Sequence, residues 1–156
     1  MQHFEHRHPY RRFWLMILLS FLAMFAFTYA MVDRLENVLP SLTKAYMAAL
    51  MTAPMLVLEL LLMGHMYANK KINSGLIIGG VLLLVLAWVG IRQQVAIGDE
   101  QFLRSMIPHH ASAILMCEKA PLRDPDIQQL CLQIVASQQG EIDQMKAKLV
   151  ELGSRR

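Results

Sequence analysis

Apolar positions crowd into three long stretches of the N-terminal part of this chain, covering residues 13–31, 45–66 and 75–91. Only Glu59 and His65 interrupt the second stretch. Each stretch is long enough to cross a hydrocarbon core of about 30 Å at about 1.5 Å per helical residue. None has the polar face at a 3.6-residue period that a helix on a globular core shows. The pattern predicts an all-α membrane protein with three transmembrane helices.

The membrane region ends with a connector at residue 97. The more polar residues 98–153 that follow predict a helical hairpin outside the membrane. Asp99 is a suitable N-cap for a first helix, and Pro121 would stop it. Asp124-Pro125-Asp126 combines an N-cap, a first-turn proline and an acidic first turn, which predicts a second helix. Gly153 is its expected end.

The formal net charge of +3 arises mainly from basic residues that flank the apolar stretches, so nucleic acid is not expected as a partner. One side carries Arg7, Arg11, Arg12, Lys70 and Lys71, and the other carries Arg34, Lys44 and Arg92, offset by Asp33 and Glu36. The positive-inside rule then predicts a cytoplasmic tail at residues 1–12 and a hairpin on the periplasmic side of a bacterial inner membrane.

Two features near the N-terminus have alternative interpretations. Thr28-Tyr29-Ala30 resembles a signal-peptidase site, although the length of the preceding apolar run favours an uncleaved anchor. The tail contains His3, His6 and His8, which are either incidental residues of a polar segment or an intracellular metal-binding site. Removal of the first apolar stretch would leave the orientation of the hairpin unchanged.

The first hairpin helix carries sulfur and imidazole groups at helical spacing. One stripe contains Phe102, Met106, His109, Ala113, Met116 and Ala120, flanked by His110 and Cys117. We expect it to mix packing residues with soft metal ligands, since thioether, imidazole and thiol together suit Cu(I) or Ag(I). Adjacent histidines point about 100° apart, so one of the two is structural or reaches another chain.

The second hairpin helix has an apolar seam that polar residues interrupt. The expected seam is Ile127, Leu130 or Cys131, Ile134, Gln138, Glu141 or Ile142, Met145 and Leu149. In an antiparallel hairpin, Gln138 and Glu141 come level with Met106 and His109. Glu141 is therefore a further candidate ligand.

The second apolar stretch contains Met47, Met51, Met55, Glu59 and Met63, one at every fourth position. This stripe is either packing, since methionine is an adaptable filler, or a path for soft metal ions. An ionisable group such as Glu59 inside a membrane favours a polar cavity or a partner on a neighbouring helix. Gly75 and Gly79 of the third stretch, with Gly80, fit a small-residue helix contact.

Residues 98–152 resemble the DUF305 family of ferritin-like helical domains. The motif Met106-Ile-Pro-His109-His110, followed by Gln138-x-x-Glu141-Ile-x-x-Met145, carries the resemblance. The resemblance implies an extracytoplasmic domain that binds copper or silver, with Met106, His109, His110, Met116 and Met145 as ligand positions. Since ferritin-like domains are four-helix bundles, it also implies that a homo-oligomer completes the fold.

Cys117 and Cys131 stand where the family pattern has small residues, and three states are open for them. They form a disulfide, as an oxidising compartment favours, they bind metal as thiolates, or they remain free thiols. A disulfide requires Cα atoms closer than packed helices usually bring them.

The leading hypothesis is a membrane-anchored protein that binds copper or silver, with Cu(I) favoured, in metal handling or resistance. A metal transporter using the methionine stripe and Glu59 is one alternative, and a structural assembly module without metal is another. No motif indicates an enzyme or an organic cofactor.

Overall fold

The structure, a computed structural model, describes residues 9–67 and 69–154 of the 156-residue chain. Within this part every regular element is a helix and there is no β-strand, which confirms the predicted all-α class. The α-helices are α1 (Pro9–Phe27), α2 (Leu42–Met63), α3 (Lys70–Arg92), α4 (Asp99–Lys119) and α5 (Pro125–Ser154). Most of the predicted tail, with His3, His6 and His8, lies outside the described residues.

Three helical segments are long and apolar enough to cross a membrane, namely Tyr10–Phe27, Leu42–Met66 and Lys70–Arg92. Their limits differ from the apolar runs in the sequence. α1 ends at Phe27 rather than at residue 31, because the next residues leave the helix and join a loop. α3 begins before Gly75 because the side chain of Asn69 caps it, accepting hydrogen bonds from the backbone N–H groups of Lys71 and Ile72.

The chain divides into two compact units, and the first contains α1, most of α2, and α3. Phe13, Leu56, Leu60 and Tyr67 form its core. Gly80 permits close packing of α3 on α2, since a Cβ atom there would lie 2.7 Å from the Leu56 side chain. Of the three glycines of the predicted contact face, Gly75 and Gly79 instead have no atom within 4 Å of the position of an added Cβ.

The second unit combines the hairpin of α4 and α5 with the loop at residues 28–44. Its buried core consists of Ile107, Ala111 and Ile114 of α4 and Ile142 of α5. Val32 and Leu39, both from the loop, pack against that core, so the hairpin is covered by a segment that is distant in sequence.

Hydrogen bonds hold the loop in place. The Tyr29 hydroxyl donates to the carbonyl oxygen of Leu39 at 3.0 Å, and the backbone N–H of Leu42 donates to the Gln101 side chain at 2.8 Å. Because Gln101 belongs to α4, the second of these bonds ties the loop directly to the hairpin.

The helix ends of the hairpin agree with the sequence signals at the start of α5 but differ from them at the start of α4 and at the end of α5. The Asp124 carboxylate accepts hydrogen bonds from the N–H groups of Asp126 and Ile127, which confirms the predicted start of the second helix. Gly98 rather than Asp99 is the N-cap residue of α4. α5 continues through Gly153 to Ser154, so the predicted stop at Gly153 is wrong.

Candidate functional site

The face of α4 that enters the hairpin core is not the one that carries the predicted stripe. Ile107 and Ala111 are 0% exposed, whereas Phe102 is 49% and Met116 is 54% exposed. Residues 107, 111 and 114 repeat at helical spacing and face Ile142, which places the stripe of Phe102, Met106 and His109 toward the outside. Phe102, an apolar member of the predicted stripe, is therefore not part of the hairpin core.

His110 is buried, and its two ring nitrogens both contact hydrogen-bond acceptors. Nδ1 lies 2.9 Å from the carbonyl oxygen of Met106, and Nε2 lies 2.7 Å from a carboxylate oxygen of Glu141. A carbonyl and a carboxylate both accept, so these contacts are satisfied together when both ring nitrogens carry hydrogen. His110 thus links α4 to the Glu141 carboxylate of α5.

Glu141 is the anionic partner in this contact. Its other carboxylate oxygen accepts a hydrogen bond from the Ser137 hydroxyl at 2.9 Å, one helical turn away. The hydrogen bond from Ser137, together with that from His110, lowers the pKa of Glu141 below its ordinary value. Sequence reasoning missed Ser137, although its four-residue spacing from Glu141 on a helix was a usable signal.

His109 differs from the buried His110 in its exposure and in its hydrogen bonding. Its side chain is exposed, and none of the described residues forms a hydrogen bond with its ring nitrogens. The ring centroids of His109 and His110 lie 5.9 Å apart, with the ring planes inclined by 64°. Of the two histidines, His109 is the one whose nitrogens are open to a ligand.

The three candidate methionines of the hairpin lie in three different environments. Met106 is half-buried and precedes His109 by three residues on the same side of α4, a rise of about 4.5 Å. Met116 is exposed but lies about 10 Å beyond His109 along the helix. Met145 packs against the hairpin core. Met106 and His109 are therefore the predicted ligands that α4 presents one turn apart.

Cys117 and Cys131 form a disulfide that joins α4 to α5 near the hairpin turn. Their Cα atoms are 5.2 Å apart, so the helices approach more closely here than the usual 8–10 Å. Of the three states left open by the sequence, this structure contains the disulfide, in which neither sulfur is a thiolate.

No group of three or more His, Cys, Asp or Glu side chains in the described ranges is arranged to hold a metal ion. Methionine is not among those residue types, so the pair of Met106 and His109 is a different kind of site. On its own this pair offers one thioether and one imidazole, which is a partial coordination shell.

Residues 91–149 match the model of a domain of unknown function, DUF305. The chain is also 36% identical over 141 residues to "Uncharacterized protein L153" of Acanthamoeba polyphaga mimivirus, and this alignment covers 88% of the chain and 90% of that protein. The chain belongs to the DUF305 family. No solved structure matches it. The similarity to the viral protein extends beyond the DUF305 domain into the apolar helices, so the two proteins share more than the hairpin.

Outside the DUF305 domain, the methionine stripe of α2 lies on the surface of its unit. Met47, Met51, Met55 and Met63 are all exposed there. Glu59 accepts a hydrogen bond from the Tyr67 hydroxyl at 3.2 Å and lies about one turn from the end of α2. The carboxyl group thus has a partner close to the helix end, and the transport path stays a prediction.

Proposed function

We propose that this protein is a membrane-anchored binder of soft metal ions, whose DUF305 hairpin captures Cu(I) or Ag(I) on the extracytoplasmic side. It acts in metal handling or resistance and performs no covalent catalysis. The ions are cargo rather than a resident cofactor.

The observation that carries the proposal is the placement of Met106 and His109. The imidazole of His109 is exposed and lacks a partner among the described residues, and Met106 lies one turn away on the same side of α4. A thioether and a neutral imidazole are ligands that favour Cu(I) and Ag(I) over hard cations. The hairpin core uses other residues, so its packing does not explain this pair.

A second copy of the chain would complete the coordination shell. Phe102 and Met116 expose large apolar side chains on either side of His109 along α4, which favours contact with another apolar surface. A symmetric contact would bring two Met106–His109 pairs to one ion or to two neighbouring ions. His110 could join the shell through Nε2 only by giving up its contact with Glu141.

The proposed anchoring rests on three apolar helices and on charge. Since the loop at residues 28–44 and the hairpin pack into one unit, both would lie on the same side of a membrane crossed by α1, α2 and α3. Arg11, Arg12, Lys70 and Lys71 lie at the opposite helix ends and are expected to face the cytoplasm. The bacterial inner membrane stays a prediction, since the relative described above is viral.

The test is a Cu(I) competition titration of the full-length protein in detergent, against a chromogenic Cu(I) chelator with ascorbate present. We expect His109→Gln and Met106→Leu each to weaken binding at least about tenfold, which corresponds to roughly 1.4 kcal/mol. His65→Gln is the matched control, because His65 is also exposed but lies outside the DUF305 domain.

Wild-type protein that fails to compete, or equal affinities for His109→Gln and His65→Gln, would refute the proposal. A protein that is oligomeric but binds no Cu(I) would instead support the structural assembly module.

A further inference from the structure

The end of the hairpin at which α4 turns into α5 contains few buried side chains. Among the described residues of α5, Ile142 is the one that is buried, and it lies far from the turn. Near the turn, Ile127, Leu130 and Leu132 are all exposed. On α4 the buried residues end at Ile114. Side-chain packing therefore contributes little to holding the first turns of α5 against the end of α4.

The disulfide lies in this thinly packed region and borders an open groove. The groove has a volume of about 520 Å³ and is lined by Cys117 and Cys131 together with Glu118, Leu122, Leu132 and Val135. Both cysteines are half-buried rather than enclosed. A reductant of modest size thus has an approach to the sulfur atoms, which is the first requirement for thiol–disulfide exchange.

We propose that Cys117 and Cys131 are a redox-controlled binding site for a soft monovalent cation. In the oxidised state they are the covalent link described above. A dithiol transfers two electrons and two protons to the disulfide, which breaks the S–S bond, yields two thiols and leaves the dithiol as its own disulfide. Cu(I) or Ag(I) then displaces both protons and binds between the two thiolates.

The packing of the hairpin allows this conversion. The two sulfur atoms must move from a bonded position to opposite sides of an ion, so the helix ends must adjust slightly. A disulfide inside a close-packed core would resist such a change, because cores adjust little without a cost in stability. Here the nearest buried residue of α4 is Ile114, almost one turn away, and the helix ends face an open groove.

The two thiolates of the reduced pair determine which class of cation this site prefers. Two thiolates are soft ligands that suit Cu(I) and Ag(I), both of which accept two-coordinate binding. Structural zinc usually takes four ligands. In the part of the chain that the structure describes, no third His, Cys, Asp or Glu side chain joins this pair in a metal-binding group. The reduced pair is therefore suited to a monovalent soft ion.

This inference shares the cargo class of the proposed function but uses none of its ligands, so the two can fail separately. The experiment compares full-length protein in detergent before and after treatment with dithiothreitol, which is removed anaerobically. Alkylation followed by mass spectrometry counts free thiols, and Cu(I) titration follows thiolate-to-copper charge-transfer absorption. We expect both cysteines to be alkylated without denaturant and the reduced protein to bind an additional equivalent of Cu(I).

Two variants distinguish the sites. Cys117→Ser with Cys131→Ser should abolish the additional equivalent and its charge-transfer band while leaving the site at His109 intact. His109→Gln should retain both signals after reduction. A disulfide that dithiothreitol reduces only in denaturant would overturn the inference, as would a reduced protein that binds no more Cu(I) than the double serine variant.

Discussion

Replacing Ile107 by alanine should destabilise the hairpin far more than replacing Met116 on the same helix. Ile107 is 0% exposed and packs with Ala111, Ile114 and Ile142, whereas Met116 is 54% exposed. The comparison tests directly which face of α4 forms the core. It also tests whether the outer face is free to serve another purpose.

The magnitude follows from burial. Ile107→Ala removes three carbon atoms at about 0.8 kcal/mol each, and the cavity that remains raises the loss to roughly 3 kcal/mol. Met116→Ala removes a side chain that keeps half its surface in solvent, and alanine is the better helix former. Its cost should be about 1 kcal/mol or less.

Hydrogen exchange of the full-length protein in detergent, read by mass spectrometry on peptides from α4 and α5, measures both variants. A loss of about 3 kcal/mol corresponds to roughly 100-fold faster exchange of the core amides, while Met116→Ala should stay within about fivefold of wild type. Similar rates for the two variants, or faster exchange in Met116→Ala, would show that the core assignment is wrong.

Two other predictions concern packing in the first unit and acid stability in the second. Gly80→Ala should lower the thermal midpoint of the detergent-solubilised protein, because the new Cβ would lie 2.7 Å from a side chain of α2. The expected loss of stability is about 1–3 kcal/mol. Gly79→Ala is the control and should leave the midpoint unchanged, because no atom lies within 4 Å of its added Cβ. Hydrogen bonds from Ser137 and His110 lower the pKa of Glu141 in the folded protein. Its carboxylate therefore stabilises the hairpin at pH values above the pKa of Glu141 in the unfolded chain. This stabilisation is lost as the pH falls through the lower pKa of Glu141 in the folded protein. The difference in urea stability between wild type and Glu141→Gln, measured by circular dichroism, should therefore shrink as the pH falls below the ordinary glutamate pKa. A difference that does not depend on pH would contradict this assignment.

Apolar run length and turn chemistry were enough to predict three candidate membrane helices, the hairpin and its turn. Hydropathy identifies a span because a bilayer demands an uninterrupted apolar length, and Asp124 identifies a helix start because its carboxylate caps free N–H groups. Such signals are local, so they can be read from neighbouring residues.

The core face of α4 could not be predicted from local pattern because both faces of the helix are apolar. Met106 and Ile107 begin two stripes of similar hydrophobicity, and periodicity alone does not choose between them. The structure places the Ile107 stripe inward, where it meets Ile142 and the loop residues Val32 and Leu39. Those loop residues precede α4 by about two membrane spans, so their contribution is a tertiary effect that a helical pattern does not contain.

The covering loop also changes the argument for oligomers. A homo-oligomer is predicted from the sequence because ferritin-like domains are four-helix bundles and this hairpin has only two helices. Val32 and Leu39 cover part of the core from within the same chain, so the core gives less reason for association. Exposed apolar residues of the hairpin remain a reason, and two of them, Phe102 and Met116, lie on the face that carries His109. Association of chains stays a prediction, and its expected location moves from the core to this outer face.

The adjacent histidines explain how one short motif can serve both stability and binding. Because they point about 100° apart on α4, an inward His110 requires that His109 turn toward solvent. His110 contacts Glu141 of α5, and this contact links the two helices at that level. The anionic carboxylate of Glu141, which contacts the neighbouring His110, would attract a cation bound at His109. Glu141 can therefore assist metal binding without being a ligand, and Glu141→Gln should weaken Cu(I) binding less than His109→Gln does.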